Sequence, residues 1–367
     1  MKPTAMKIIV SFLVAMFFQS GHGMENWYGN SLCLAFKGKT KQAMKIVHDN
    51  NPELIEITDS KLVPEEIKEI IDEKPDNEPK PGKFVALGKE RVGETANIAA
   101  YSLDGINWHE TTFPSWEAWS SVCYGDNKFV AVSSYGNAAY SSDGITWTPA
   151  NGPSSIEAWN SVCYGKDKFV AVDYDGYYAA LSTDGVNWSQ NIDLSFSQYG
   201  SNDLRICYGN GKFLIVSGNK AALSTDGINW VSVEMSNIYD LSSICYGDNK
   251  FVAVIRDEDK VAYSADGETW AETILPFSTG WNTSVCHGNG KFLIVSGNKA
   301  ALSTDGILWN EITTLPSEAN WYSVCYGGGK FVAVGDGQPA YSTDGINWTK
   351  ISSLSSDYWW PFVYCTK

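Results

Sequence analysis

"WSSVCYGDNKFVAVSSYGNAAYSSDGITWTPA", residues 119–150, holds four strand signals separated by turn residues. "WSSVCYG" reads as a first strand, and Gly125-Asp126-Asn127 supplies its turn. "KFVAV" follows, apolar at nearly every position, as a strand must be when both of its faces are covered. "NAAYS" is a third strand. Ser-Asp-Gly then makes a tight hairpin, with Gly144 free to take positive φ and Asp143 able to accept bonds from turn amides. "ITWTPA" is the outermost strand, where Trp147 can lie across the hairpin and cover its polar bonds. Four antiparallel strands in about 40 residues describe one propeller blade.

The unit recurs. Ser-x-Asp-Gly-x-x-Trp begins at Ser102, Ser141, Ser182, Ser224, Ser264, Ser303 and Ser342, with spacings of 39 to 42 residues. Its aspartates are Asp104, Asp143, Asp184, Asp226, Asp266, Asp305 and Asp344, read as structural hairpin residues. The first unit starts at "KFVAL" (Lys83 to Leu87) and lacks the "SVCYG" strand that opens the other six. "YWWPFVYC" near the chain's end resembles that missing strand. It is therefore expected to insert as the innermost strand of the first blade, leaving no open sheet edge in the ring. Residues 83–367 accordingly read as an all-β, seven-bladed β-propeller.

Cys123, Cys163, Cys207, Cys245, Cys286, Cys325 and Cys365 are read as equivalent positions on successive first strands. Such positions are expected to lie beyond the roughly 7 Å Cα limit for a disulfide, so the thiols are expected to be buried and free. A ring of metal-bound thiols is the sharper alternative, but no His or second Cys lies at ligand spacing, so neither metal nor cofactor is expected.

Residues 1–23 read as a secretory signal: Lys2 and Lys7 precede an apolar run from Ile8 to Phe18, with Gly21 and Gly23 as small residues for cleavage. A start at Met24 is the other reading. Residues 24–82 do not repeat. They read as a small α/β segment with strands at "SLCLAF" and "ELIEIT", helices at "TKQAMKIVHDN" and "VPEEIKEII", and an acidic linker, "DEKPDNEPKPG". That segment is a candidate for docking to a partner.

Aromatic residues make up 13% of the 367, with 15 Trp and 33 Gly, a core-forming and turn-dense composition that excludes disorder for the repeats. A net charge of −15 repels a polyanionic duplex or an anionic bilayer surface, so neither a nucleic-acid partner nor membrane insertion is expected.

The Ser-x-Asp-Gly-x-x-Trp hairpins resemble the Asp-box (BNR) repeats of sialidases, two-propeller xyloglucanases, sortilin-type receptors and a photosystem II assembly factor. The fuller unit is similar to repeats in bacteriophage tail or fibre proteins and in cell-surface proteins of gut bacteria. The resemblance covers residues 83–367 and speaks for fold more than for function, because hairpins of this kind serve many activities. It implies that the hairpins lie opposite the binding face. Sialidases grip a carboxylate with three arginines on six blades, one in an Arg-Ile-Pro motif. Here Arg91, Arg205 and Arg256 are the only arginines and none precedes Ile-Pro.

On the face away from the hairpins, the loops before each first strand place Trp119, Trp159, Trp281, Trp321 and Trp360. A ring of indoles at a channel mouth would stack on sugar rings; core wedges between blades are the other use of the same residues. The fourth and fifth blades break the pattern with Asp203 and Leu241, and Arg205 and Arg256 fall there, making that sector a second candidate. The four His are scattered, and no acid–base set stands out. The expected function is a secreted or cell-surface, non-catalytic propeller that recognises a glycan or glycoprotein. The alternatives are a sialidase-like glycoside hydrolase and a structural, virion-associated part of a phage tail.

Overall fold

Two compact units divide the chain, Met1–Glu78 and Pro79–Lys367. The computed structural model describes residues 33–36, 43–48, 51–56, 84–90, 96–152, 158–189, 191–194, 204–235, 238, 240–316, 319–354 and 358–366. In the first unit β1 (Cys33–Phe36), β2 (Ala43–His48) and β3 (Asn51–Glu56) form an antiparallel sheet in chain order. The stretch read as a helix over 40–50 is thus a strand where it is described. Ile46 and Val47 are β-branched, and Ala43–His48 pairs with a neighbour on each side, which overrides the helical period. The second predicted helix, the leader and the linker lie outside the described residues.

The second unit is a seven-bladed propeller of four-stranded antiparallel sheets. In the second blade, β7 (Trp119–Gly125), β8 (Lys128–Ser133), β9 (Ala138–Ser141) and the two-residue β10 (Thr148–Pro149) run from channel to rim. Before it come β4 (Phe84–Glu90), β5 (Ala96–Ser102) and β6 (Trp108–Glu117). These three are completed by the closing strand Tyr358–Cys365, which pairs antiparallel with β4 on its inner side.

The apolar second strand of each blade is what makes the ring. Phe129 and Ala131 join a buried cluster with Val85 and Leu87 of the first blade, while Val130 and Val132 join another with Phe169 and Ala171 of the third. Alternate residues therefore face opposite neighbours, as the two-residue period of a strand dictates. Seven such clusters fill the seven interfaces.

The hairpins fold as their residues require. Ser102 Oγ accepts from the Gly105 amide at 2.9 Å and donates to Asp104 Oδ1 at 3.0 Å. Asp104 Oδ1 also accepts from the amides of Ile106 and Asn107 at 2.8 and 2.7 Å. Gly144, at the matching place in the next hairpin, has φ +78°. The Trp108 indole donates back to the Gly105 carbonyl at 3.3 Å, and Trp230, Trp270 and Trp348 do the same in their hairpins. In Asp184, Asp226, Asp266, Asp305 and Asp344 the turn amides are the main cause of a lowered carboxyl pKa. In Asp104 and Asp143 partial burial pushes the other way, and the amide bonds outweigh it.

One equivalence does not hold. Cys365 pairs with Phe84, whereas in the second blade Tyr124 pairs with the matching Phe129, so Cys365 takes the tyrosine position and Tyr364 the cysteine position. At four other interfaces that tyrosine ring lies against a neighbouring glycine, as a Cβ on Gly125, Gly165 or Gly209 would clash with Tyr164, Tyr208 or Tyr246, and at a fifth His287 takes its place on Gly247. At the closing interface a Cβ on Gly327 would instead meet Cys365 Cβ and Sγ at 2.8 and 2.9 Å. All seven of these cysteines are free thiols.

Val363 of the closing strand is buried, and its amide donates to Ser323 Oγ of the seventh blade at 3.1 Å. Val363→Asp buries a charge at the seam and is expected to lower the Tm by about 5–10 °C; an unchanged thermogram would show that this strand does not seal the ring. Acid should loosen the hairpins. The turn amides hold the Asp266 carboxyl down to about 2 from 3.8. A group depressed in the folded state contributes stability above its unfolded pKa and loses it as pH falls through the folded value. The Tm should therefore drop between pH 4 and pH 2, less steeply in Asp266→Asn, and parallel pH profiles for the two proteins would count against the assignment.

Candidate functional site: the loop face and the channel mouth

Antiparallel strands put alternate loops at opposite ends of the ring. Lys128 Nζ donates to the Asp184 carbonyl at 2.9 Å and Lys250 Nζ to that of Asp305 at 2.8 Å. The first turns of the blades and the Ser-x-Asp-Gly hairpins thus share one end. At the other end, the loop after the second strand is tied in four blades to the residue preceding the inner strand, as in Ser134 N to Ala118 O at 2.9 Å and Tyr174 N to Ala158 O at 2.7 Å. This second end is the loop face.

The structure splits the indoles assigned to that face. Trp119 is buried, stacked on Phe113 at 4.3 Å. Trp159 and Trp321 have no exposed surface at all, and Trp321 packs on Trp348 at 4.6 Å while its indole donates to the Gln338 carbonyl at 2.9 Å. These three are blade wedges and offer no face to a ligand, which corrects their assignment as a stacking ring. Leu241 fills the same place in the fifth blade, also fully buried. Trp281 differs because it stands five residues before its cysteine where the wedges stand four before theirs. It falls outside the inner strand, which begins at Thr283, and is 70% exposed. Trp360 lies in the closing strand at an irregularity of pairing between Trp359 and Phe362. Asp203 lies outside the described residues.

Trp281 is held rigidly. The Arg256 guanidinium sits 4.8 Å from the centre of its ring, on a side chain that is itself buried and 3.7 Å from Asp240 Oδ1. Thr279 donates to the Ile255 carbonyl at 2.7 Å, and Thr283 to that of Gly280 at 2.9 Å, clamping the segment on both sides of the indole. Arg256 is thus a support for Trp281.

Four more exposed aromatics on this face stand outside the candidate ligand-binding set: Trp116 at the end of β6, Tyr135 after β8, and Tyr174 and Tyr177 after the strand Lys168–Asp173. Asp173 is buried and accepts from the amides of Gly176 at 2.9 Å and Tyr178 at 3.1 Å, which fixes the loop bearing both tyrosines. The signal was a tyrosine inside a turn, Ser134-Tyr135-Gly136-Asn137 and Asp173-Tyr174-Asp175-Gly176, where no core position exists.

At the centre, the inner strands enclose a channel cavity of ≈ 390 Å³. Its wall is stitched by serines two residues before each cysteine. Ser121 accepts from the Val162 amide at 3.2 Å, Ser161 from Ile206 at 3.4 Å, Ser243 from Val285 at 3.1 Å and Ser284 from Val324 at 3.3 Å; Ser323 completes the set with Val363. The two exceptions are Phe362 and Arg205, and Arg205 lines the channel with its Nη1 donating to the Leu204 carbonyl at 3.1 Å. Burial pushes the Cys163, Cys286 and Cys325 thiols well up, which suits packing and not nucleophilic chemistry. His287 lies at the other end of the channel wall, Nε2 3.0 Å from Asp248 Oδ2. Among the described residues no group of His, Cys, Asp and Glu is placed to hold a metal ion, and no helix is long and apolar enough to cross a membrane.

No family model matches the sequence, and no curated protein matches it. Solved structures do match in fold. YCF48 bound to D1 peptide aligns with TM-score 0.52 at 20% identity, over 66% of this chain and 84% of that one. A streptogramin B lyase aligns with TM-score 0.56 at 11% identity, over 75% and 89%. The virginiamycin B lyase of Staphylococcus aureus aligns with TM-score 0.56 at 12% identity, over 74% and 94%. Identities this low show a shared propeller architecture.

The split among the indoles has a direct check. Trp159→Ala empties a core site and is expected to cost about 3–5 kcal/mol in urea unfolding. Trp281→Ala should stay within about 0.5 kcal/mol. Equal costs would contradict the assignment of one as wedge and the other as presented surface.

Proposed function

We propose that this chain is a non-catalytic recognition propeller of the Asp-box kind, working outside the cell and binding a glycan or glycoprotein through its loop face. The observation that carries the reading is the set of exposed aromatics at that end, Trp116, Tyr135, Tyr174, Tyr177 and Trp281, on loops pinned by buried polar residues. A flat apolar ring with a polar edge, held without freedom to collapse, stacks on a sugar face at little entropic cost. The opposite end exposes aliphatic hairpin tips such as Ile228, Leu308 and Ile346. Net charge of −15 favours a soluble module and disfavours anionic polymers of high charge density. The basic and apolar start of the chain supports an extracellular setting.

Two acids on the loop face serve loop geometry. Glu117 accepts from Asn137 Nδ2 at 2.8 Å and Asp173 accepts from loop amides, so both carboxylates are engaged in structure. A glycosidase needs two carboxyl groups poised across a bond, so fluorogenic glycosides are expected to show no turnover above background. On a glycan array the protein should retain a defined set of structures and lose at least tenfold of that signal in Tyr174→Ala/Trp281→Ala. A blank array, or binding indifferent to both substitutions, would remove the reading; retention of peptides in place of sugars would convert it to protein recognition of the loop face.

A further inference from the structure

We infer that Cys325 and Cys365 form a disulfide on oxidation, anchoring the closing strand to the seventh blade at the seam of the ring. Such a bond fixes the closure whatever ligand the loop face takes.

The partner of each cysteine follows from the register between inner strands, which all run in the same direction. Ser121 meets the Val162 amide, so two residues further on Cys123 stands level with Tyr164, and the two share a buried cluster. Cys163 shares one with Tyr208, Cys207 with Tyr246 and Cys286 with Tyr326. By the same count Cys245 stands level with His287. At each of these interfaces the cysteine therefore meets a ring. At the seam the same stitch, from the Val363 amide to Ser323, brings Cys325 level with Cys365, because the closing strand carries its cysteine one residue later than the other inner strands. Among the described residues this is the only interface that opposes two thiols in this way. The spacing expected to separate equivalent cysteines does not apply, since Cys365 is not equivalent to the others.

The contacts agree with the register. Cys365 Sγ lies 2.9 Å from where a Cβ on Gly327 would stand, which puts the sulfur against the strand Trp321–Gly327. Cys325 is two residues along that strand and so on the same face. Both thiols are buried in one cluster with Phe84 and Val332. Burial first, and then a hydrogen bond with the Cys365 thiol, raises the Cys325 thiol, so the two side chains are within bonding reach of each other.

A small disulfide such as oxidised glutathione is the oxidant the step needs. Burial keeps the Cys325 thiol protonated while the strand is docked, so the reaction belongs to moments when the closing strand lifts. One protein thiolate attacks the oxidant's disulfide, releasing one glutathione thiolate and leaving a mixed disulfide. The other attacks the protein sulfur of that bond, joining Cys325 Sγ to Cys365 Sγ and expelling the second glutathione thiolate. The cysteine pair loses two electrons, the oxidant gains two, and the two thiol protons end on the released glutathione. The cross-link encloses about 40 residues, which restricts the unfolded chain.

To test this, the full chain is incubated with oxidised glutathione at rising urea concentrations below its unfolding midpoint, then alkylated, digested and mapped by mass spectrometry without reduction. A peptide pair joined through Cys325 and Cys365 is expected as the main cross-link. The Tm of the oxidised protein should exceed that of the dithiothreitol-reduced protein by about 5–10 °C. Cys365→Ser and Cys325→Ala, each compared with its own reduced form, should lose both the cross-link and the redox-dependent shift. Cys207→Ser, at an interface where the thiol meets Tyr246, should keep both. The inference would be overturned by alkylated Cys325 and Cys365 at every urea concentration, or by glutathione adducts on either without a cross-link. A dominant cross-link between other cysteines, a shift that survives in Cys365→Ser, or a cross-linked protein with an unchanged Tm would overturn it equally.

Discussion

Two-sided burial of the second strand in every blade is the constraint on which the rest of this propeller depends. Phe129 and Ala131 face one neighbour while Val130 and Val132 face the other, so a blade alone can cover neither side. Stacking shares each core between two sheets, and a linear stack would leave two apolar faces open. Only a closed ring removes both. The closing strand Tyr358–Cys365 makes that closure by pairing with β4, so the seam joins the two ends of the repeat array through backbone bonds and the cluster containing Phe84, Val332, Val363 and Cys365.

Closure in turn determines what the inner strands must do. Their free edges line the channel, and amides there need acceptors. Serine answers this with one short hydroxyl from the preceding blade, and the tyrosine-on-glycine contacts lower in the wall leave no room for a larger residue at the glycine. A wall so constrained has few positions at which chemistry can vary. Those that vary, at Arg205 and at the displaced Trp281, therefore stand out against the repeated residues around them.

Much of this was legible in the sequence because the repeat supplies its own controls. Seven copies of Ser-x-Asp-Gly-x-x-Trp gave the blade count, and "YWWPFVYC" gave the seam, since both are local patterns read against six others. Single-residue displacements were harder to see. Trp281 looked equivalent to Trp119 and Trp159, yet one extra position carries it off the strand and into solvent. Cys365 looked equivalent to Cys123, yet one position moves it onto Gly327. In a strand one residue reverses the side chain's face, so similarity of residue type without the pairing register misassigns burial. The Ser-x-Cys spacing of the stitching serines was visible throughout, but its role depends on a bond between blades that no single unit displays. Ala43–His48 failed for a related reason: six residues of mixed pattern take their conformation from the strands beside them.

A ring of near-identical units faces a problem of its own in recognition. Seven equivalent walls around an axis bind any small ligand in seven equivalent ways, which spreads affinity over orientations and selects none. Specificity requires that the symmetry be broken by groups of different character at different angles. This propeller breaks it with a guanidinium in the fourth blade, an indole underlaid by Arg256 between the fifth and sixth, and a tyrosine-bearing loop in the third. In the proposed recognition role, a stacking contact and an outer aromatic contact at different azimuths would define one orientation. The regular wall between them would present the same groups at every angle, so in that role the scaffold's regularity and its few departures would both be needed for a ligand to be read.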